Sequence, residues 1–430
     1  MPGLAEGHEK KLHVVFATSE PETAGKMVSS ILEHLPDYEV SVAALLIGQT
    51  DSQGLDKFPH PVSCISCHRD YLPIMDSRNR CQAYLQRVMR KEGGIGLVMD
   101  DDLKWLLKQE QFTDLCDQLI ANGCDMAFCS LAGDAPIPKE YTRAAPLLDV
   151  MLAISSGKND ETPSELVKFT DCITTVNGSS GEMASHHDYY SYNKKNFRPA
   201  DVCLNKVNWE DFLKKLFIGK ATTRKTITPQ AVHLASGRER GGATLIFNPS
   251  VLDFPNRAFS YHNIVSRRSD MIMAASAKAA GYTLHCTPPV LAHHRHESFD
   301  SHDSRKLIGD ILGYALIESF KAEKFVIEDF HGAMVKRFQV TKDILLDTSY
   351  MLVFLHDWLR LNSTLSIESK TIIDQMVDEN YQTIRAIEEV DFTEILAAYN
   401  RFVEVTAPQK SLDIYASAVT SVMTAWPQTA

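Results

Sequence analysis

The sequence contains no run of about 18 apolar residues, and its opening, MPGLAEGHEKKLHVVF, has no apolar stretch behind a basic start. A helix that crosses a bilayer needs about 20 apolar residues, so no transmembrane segment is expected. With no secretory leader either, the chain reads as cytoplasmic. Basic residues are outnumbered: 44 Lys and Arg face 55 Asp and Glu, a formal charge of -11. That balance argues against a broad grip on nucleic acid or anionic lipid and leaves only a local basic cleft open. The nine cysteines form no regular framework, which suits a reducing compartment better than a disulfide scaffold. CISCH, from Cys64 to His68, has haem-attachment spacing and could supply half a zinc site. No second CxxC accompanies it, and ordinary half-buried thiols in a strand are the expected reading. Repeats, low-complexity tracts, a Walker lysine motif and a GxGxxG after a strand are absent too.

What is present points to alternating strands and helices. At 430 residues and 44% hydrophobic, the chain can bury one large core and a second, smaller one. KLHVVFAT (11–18) is an apolar, β-branched run, and Met27, Ile31 and Leu35 then recur at helical spacing. YEVSVAALLIG (38–48) is a near-continuous apolar run of the kind found in strands covered on both faces. RNRCQAYLQRVMRKEGG places Cys81, Tyr84, Leu85, Val88 and Met89 on one helical stripe, ended by Gly93 and Gly94. IGLVM follows as a strand. This order predicts an open, mostly parallel α/β sheet flanked by helices, whose ligands bind outside the carboxyl ends of the strands. From Leu131 to Asn196 the chain is polar and poorly periodic, so an insertion over about 132–225 is left without an assigned fold. Beyond Ser304 every segment reads as helix, giving a domain over 11–303 and an all-helical C-terminal lobe over 304–430. Within the lobe, MLVFLHDWLRL is apolar nearly all round and is expected to be buried on more than one face. The stripe Ile372, Ile373, Met376, Val377, Tyr381 and Ile384 suits packing within the lobe or a homo-oligomer contact.

GGIGLVMDDDLKW sets three carboxylates at a strand end. Adjacent carboxylates repel and resist desolvation, so they stay ionised only beside water, donors or a cation. A divalent ion such as Mn²⁺ or Mg²⁺ takes one or two carboxylates plus substrate phosphates. Strand alternation lets Asp100 and Asp102 share a face while Asp101 points away. An acidic turn, or a helix beginning DDLKWLL, would look the same in isolation.

Two segments carry a resemblance: SRNRCQAYLQRVMRKEGGIGLVMDDD and RRSDMIMAASAKAAGYTLHCTPPVLAHHRHES. The first resembles the arginine-led helix, strand and DxD motif of GT-A fold glycosyltransferases that use nucleotide-diphosphate sugars. The second is similar to that fold's acceptor-side acidic helix and its strand ending in histidine. The resemblance spans roughly 11–300 and implies a GT-A-like, metal-dependent transfer of a sugar from a UDP- or GDP-sugar to an acceptor of unspecified identity. It implies Asp100 and Asp102, with His293 or His294, as ligands of Mn²⁺ or Mg²⁺; imidazole among them favours manganese. On the donor side it places Arg78 near the diphosphate, together with Asp100 and Asp101, and Thr18, Glu20 and Asp51 near base and ribose; a surface arginine at a helix start and plain turn residues are the alternatives. Gly241 and Gly242 would permit close backbone approach, although a plain β-bulge would look alike. Asp270 is the candidate general base, with capping of its own helix as the alternative. The chain departs from the pattern in two places: GQTDSQG offers only Asp51 after the second strand, and Ser269-Asp270 stands where Glu-Asp is usual. A metal-dependent nucleotidyltransferase and a non-catalytic binding module are the rival readings. FATSEPETAGK is a poor phosphate loop for the former.

Overall fold

The computed structural model describes residues 10–49, 51–134, 137–156, 204, 207–220, 229–237, 239, 242–294, 302–321, 324–362 and 366–406. Among them, nine strands make the central sheet: β1 (Lys11–Thr18), β2 (Glu39–Ile47), β3 (Ser63–His68), β4 (Ile95–Met99), β5 (Leu103–Trp105), β6 (Met126–Gly133), β7 (His233–Leu234), β8 (Ala243–Ile246) and β11 (Leu284–His293). Two short hairpins stand apart from it, β9 (Ser260–Tyr261) with β10 (Ile264–Val265), and β12 (Phe320–Lys321) with β13 (Lys324–Phe325). The helices are α1 (Pro21–His34), α2 (Ile74–Glu92), α3 (Gln109–Ala121), α4 (Lys139–Ser156), α5 (Trp209–Ile218), α6 (Ser269–Ala279), α7 (Ser304–Ser319), α8 (Ile327–Asn362), α9 (Ile367–Glu388) and α10 (Phe392–Thr406).

The strands lie in the order β3-β2-β1-β4-β8-β6-β11-β5, with β7 beside β11. Six run one way, and β5, β7 and β8 run the other, so the sheet is mostly parallel with helices on both faces. Alternation along β1 sends Leu12, Val14 and Phe16 into a core with Met27 and Ile31 of α1 and Phe112 of α3. Val15 joins the opposite core, with Leu85 of α2 and Met273 of α6. A Cβ at Gly96 of β4 would lie 2.7 Å from Met89 Sδ and 2.8 Å from Leu85 Cδ2, so α2 rides close on β4 because that position has no side chain. The second turn of α2, with Arg78, is thereby held beside the end of β4, where Asp100 follows.

The residues after the aspartates form a strand rather than a helix. Leu103 and Trp105 are buried, Lys104 is exposed, and β5 pairs antiparallel with β11. CISCH lies on the edge strand β3, where Cys64 and Cys67 are half-buried thiols with their Sγ atoms 3.5 Å apart.

The helical part draws on two stretches of chain. α4 and α5, both from the 132–225 stretch, share a core with α8 and α9 in which Leu148, Met151, Leu213 and Leu216 meet Leu352, Leu355, Leu359 and Met376. Inside it, fully buried Arg143 lies 2.7 Å from Glu379 Oε2, and Lys139 Nζ lies 2.9 Å from Glu379 Oε1. A fourth core joins Phe259 and Tyr261, at the β9–β10 hairpin, to Leu312 of α7, Phe330 of α8 and Tyr399 of α10.

The expectation that MLVFLHDWLRL is buried on more than one face is corrected. Met351, Leu352, Leu355 and Leu359 are buried, but Val353 is 50% and Phe354 39% exposed, because the packing partners share one stripe of α8. On α9, Ile372, Ile373, Met376 and Ile384 are buried within the chain's own cores, while Tyr381 faces outward. Among the described residues no helix is long and apolar enough to cross a membrane.

Candidate functional site

The carboxyl ends of β1, β4 and β11 and the start of α6 converge on the aspartate triplet. Asp100 continues β4, and its N–H donates to the Gly242 carbonyl at 2.9 Å. Its Oδ1 accepts from Arg78 Nη2 at 2.9 Å, while Arg78 Nη1 lies 3.3 Å from Asp270 Oδ2. One guanidinium therefore bridges the strand-end acid and the acid of α6. Burial works against the charge of Arg78, yet Asp100 and Asp270 outweigh it and hold its pKa above the ordinary value. Burial also raises the pKa of Asp100, opposed by Arg78 and reinforced by Asp102 and Asp270. The Asp100 side chain nevertheless keeps 39% of its surface open, so a ligand can reach it from outside.

Asp101 turns toward β1. Burial pushes its pKa up to about 6, against a hydrogen bond from the Thr18 hydroxyl. Thr18 is buried, and its Oγ also accepts the Glu20 N–H at 2.9 Å. The Thr18 hydroxyl thus ties the start of α1 to the triplet. The Glu20 carboxylate itself is exposed and accepts from the Thr23 hydroxyl at 3.0 Å. Asp51, just past β2, is exposed as well.

Asp102 faces the other way, to β11. His293 Nε2 lies 3.3 Å from Asp102 Oδ2, and His293 Nδ1 lies 2.9 Å from the carbonyl of Asp134 at the end of β6. A carbonyl oxygen can only accept, so Nδ1 carries a proton. A neutral ring would then aim the Nε2 lone pair at a carboxylate, and either a second proton or a cation between the two removes that conflict. The 3.3 Å separation suits two adjacent corners of an octahedral site whose bonds are about 2.1 Å. Among the described residues no three His, Cys, Asp or Glu side chains gather around one point. A metal here would take two protein donors and complete its shell with phosphate oxygens and water, which is the usual arrangement for Mg²⁺ and Mn²⁺. The residues present fit such an ion.

The other candidates fall at varying distances from this centre. His294 is exposed and follows the last residue of β11. A Cβ at Gly242 would lie 3.3 Å from Asp100 Oδ2, so the close approach allowed by this glycine is to the aspartate. Gly241 lies outside the described residues. The N-cap position of α6 belongs to Arg268, at φ +67°, with no side-chain cap, and Asp270 sits in the first turn with its carboxylate toward Arg78.

Sequence reasoning missed the Asp134 carbonyl, which orients His293, and Asn256, whose side chain donates to Asn79 Oδ1 at 3.1 Å and Gln82 Oε1 at 2.9 Å. Asn256 helps to line a cavity of about 20 Å³ behind Arg78 and Asp270, room for roughly one water. Nothing in the local pattern marks either residue.

No protein-family model and no curated protein sequence matches the chain. Among solved structures it is similar to a mannosyltransferase, PcManGT of Pyrobaculum calidifontis in complex with GDP-Man and Mn²⁺, at 11% identity and TM-score 0.38, over 93% of this chain and 88% of that one. It is also similar to residues 1–349 of S. aureus TarS in complex with UDP-GlcNAc, at 10% identity and TM-score 0.35, over 88% of this chain and 90% of that one. Likenesses this distant carry no function across.

Proposed function

We propose that this chain is a metal-dependent glycosyltransferase that moves a sugar from a nucleoside-diphosphate donor to an acceptor hydroxyl. The observation that supports this most is the pairing of Asp102 with His293, 3.3 Å apart at the strand ends, next to the Asp100–Arg78–Asp270 bridge. Asp102 and His293 would hold Mn²⁺ or Mg²⁺, and imidazole in the donor set favours manganese. When bound, the ion supplies positive charge to the leaving diphosphate.

The protein's own groups do the rest. Arg78 offers a planar fork of donors that a diphosphate can share with Asp100. The Thr18–Glu20 turn and Asp51 lie at the ends of β1 and β2, on the side where base and ribose would rest. Asp270 takes the proton from the acceptor hydroxyl as the new bond forms, and Arg78 beside it favours the ionised carboxylate that this step needs.

A thermal-shift panel of UDP, GDP and nucleoside triphosphates, each with Mn²⁺ or with chelator, tests the reading. UDP or GDP with Mn²⁺ should stabilise the fold by about 2.7 kcal/mol at a hundredfold excess over Kd, and chelator should remove most of it. Stabilisation by triphosphates alone would favour nucleotidyl transfer. No response to any nucleotide would favour a non-catalytic binding module.

A further inference from the structure

Asp270 is delivered by a strained loop. Arg268, two residues before it, sits at φ +67°, in the left-handed region that a non-glycine residue rarely adopts. Such a residue persists only where its surroundings over-determine it, and α7 supplies four contacts that do so.

The Arg267 N–H donates to the Gly309 carbonyl at 2.9 Å. The Arg268 guanidinium Nη2 lies 2.5 Å from Asp310 Oδ1, with the two side chains only 8% and 2% exposed; the angles make this a charge contact rather than an aligned hydrogen bond. The same guanidinium lies 5.1 Å over the Tyr314 ring. Finally, Gly309 and Gly313, one turn apart, let α7 lie backbone to backbone against the loop. A Cβ at Gly313 would sit 2.0 Å from the Arg267 carbonyl oxygen, and one at Gly309 would sit 2.6 Å from that of Val265. A helix of the lobe thus touches the loop at Val265, Arg267 and Arg268, immediately before the α6 turn that carries Asp270.

We infer that Asp310, flanked by Gly309 and Gly313, is a positioning residue for Asp270: α7 fixes the 265–268 loop through Arg268 and so sets where the carboxylate of α6 stands. The effect on turnover rests on the role of Asp270 proposed above; the effect on the loop does not. The charge pair is costly to break from one side, because removing Asp310 leaves the Arg268 cation buried without it. It therefore resists any shift of α6 along α7. A base must stand within hydrogen-bond reach of the proton it takes, and a misplacement of about 1 Å can lower a rate by roughly 100-fold.

Two variants of the full chain test this, Gly313→Ala and the milder Asp310→Asn, which keeps the side-chain shape and removes the charge. Amide hydrogen exchange over 264–272 reads the loop. Release of UDP from UDP-glucose and of GDP from GDP-mannose, with Mn²⁺ and water as acceptor, reads turnover. Each variant is also made in an Asp270→Asn background.

The expected result is exchange faster by about tenfold or more in that segment, kcat lower by roughly 10–100-fold, UDP and GDP affinity within about twofold of the parent, and no further loss of kcat when Asp270 is already Asn. Unchanged exchange in both variants overturns the inference, whatever happens to turnover. Faster exchange with an equal loss of kcat in both backgrounds also overturns it, since α7 would then act by general destabilisation. If Asp270→Asn alone leaves kcat unchanged, the proposed base is wrong, and the positioning of the loop is still decided by the exchange data.

Discussion

Replacing Asp102 with alanine is expected to abolish the Mn²⁺-dependent part of nucleoside-diphosphate binding while leaving the fold intact. At the strand ends Asp102 and His293 stand 3.3 Å apart, a donor spacing that suits a metal, and an imidazole alone supplies no negative charge to hold a hard cation. In calorimetry with UDP or GDP, the affinity of Asp102→Ala in Mn²⁺ should fall to that of the parent protein in chelator, a loss of about 100-fold or more, given that even groups behind the ligands account for about 10–100-fold. The side chain lies on a turn and is 30% exposed, so unfolding free energy should move by no more than about 0.5 kcal/mol. Equal nucleotide affinity in chelator, in Mn²⁺ and in the variant would remove the metal from the account.

The second large effect is on turnover. Asp270→Asn preserves volume and still leaves Arg78 its hydrogen bond to Asp100, so donor affinity should stay close to that of the parent. The amide cannot accept the acceptor's proton, and kcat should fall by about 10²–10⁴-fold. Steady-state rates alongside equilibrium nucleotide binding separate the two quantities. Unchanged turnover would leave Asp270 as a partner that orients Arg78, an outcome in keeping with a mechanism that needs no base on that side.

Local pattern made the sheet legible. Continuous apolar runs gave β1, β2 and β4, the 3.6-residue stripe of α2 ended at its two glycines, and the aspartates then fell at a strand end, where open sheets bind ligands. The positions of Arg78, Asp270 and His293 could be read as flanks of that point. Their contacts could not, because each joins residues far apart in sequence: Arg78 to Asp270, His293 to Asp102 and Asp134.

α4 escaped the reading for a related reason. It is buried almost all round, so Ala144, Ala145, Leu147, Leu148, Val150 and Met151 form no stripe, and Pro146 looks like a break. Its buried Arg143 is accounted for by residues far away in sequence, Glu379 in α9 and the carbonyls of Leu216 and Phe217 in α5. The outer face of α8 failed in the opposite sense: Val353 and Phe354 look like core residues by composition and lie on the side away from α4, α5 and α9.

The most direct test of the central claim is a crystal of the parent protein grown with Mn²⁺ and UDP or GDP, measured at the manganese absorption edge. The account predicts an anomalous peak within bonding distance of Asp102 Oδ2 and His293 Nε2, with the diphosphate between it and Arg78. A bound nucleotide with no manganese at those two side chains, or manganese held elsewhere in the chain, would contradict it.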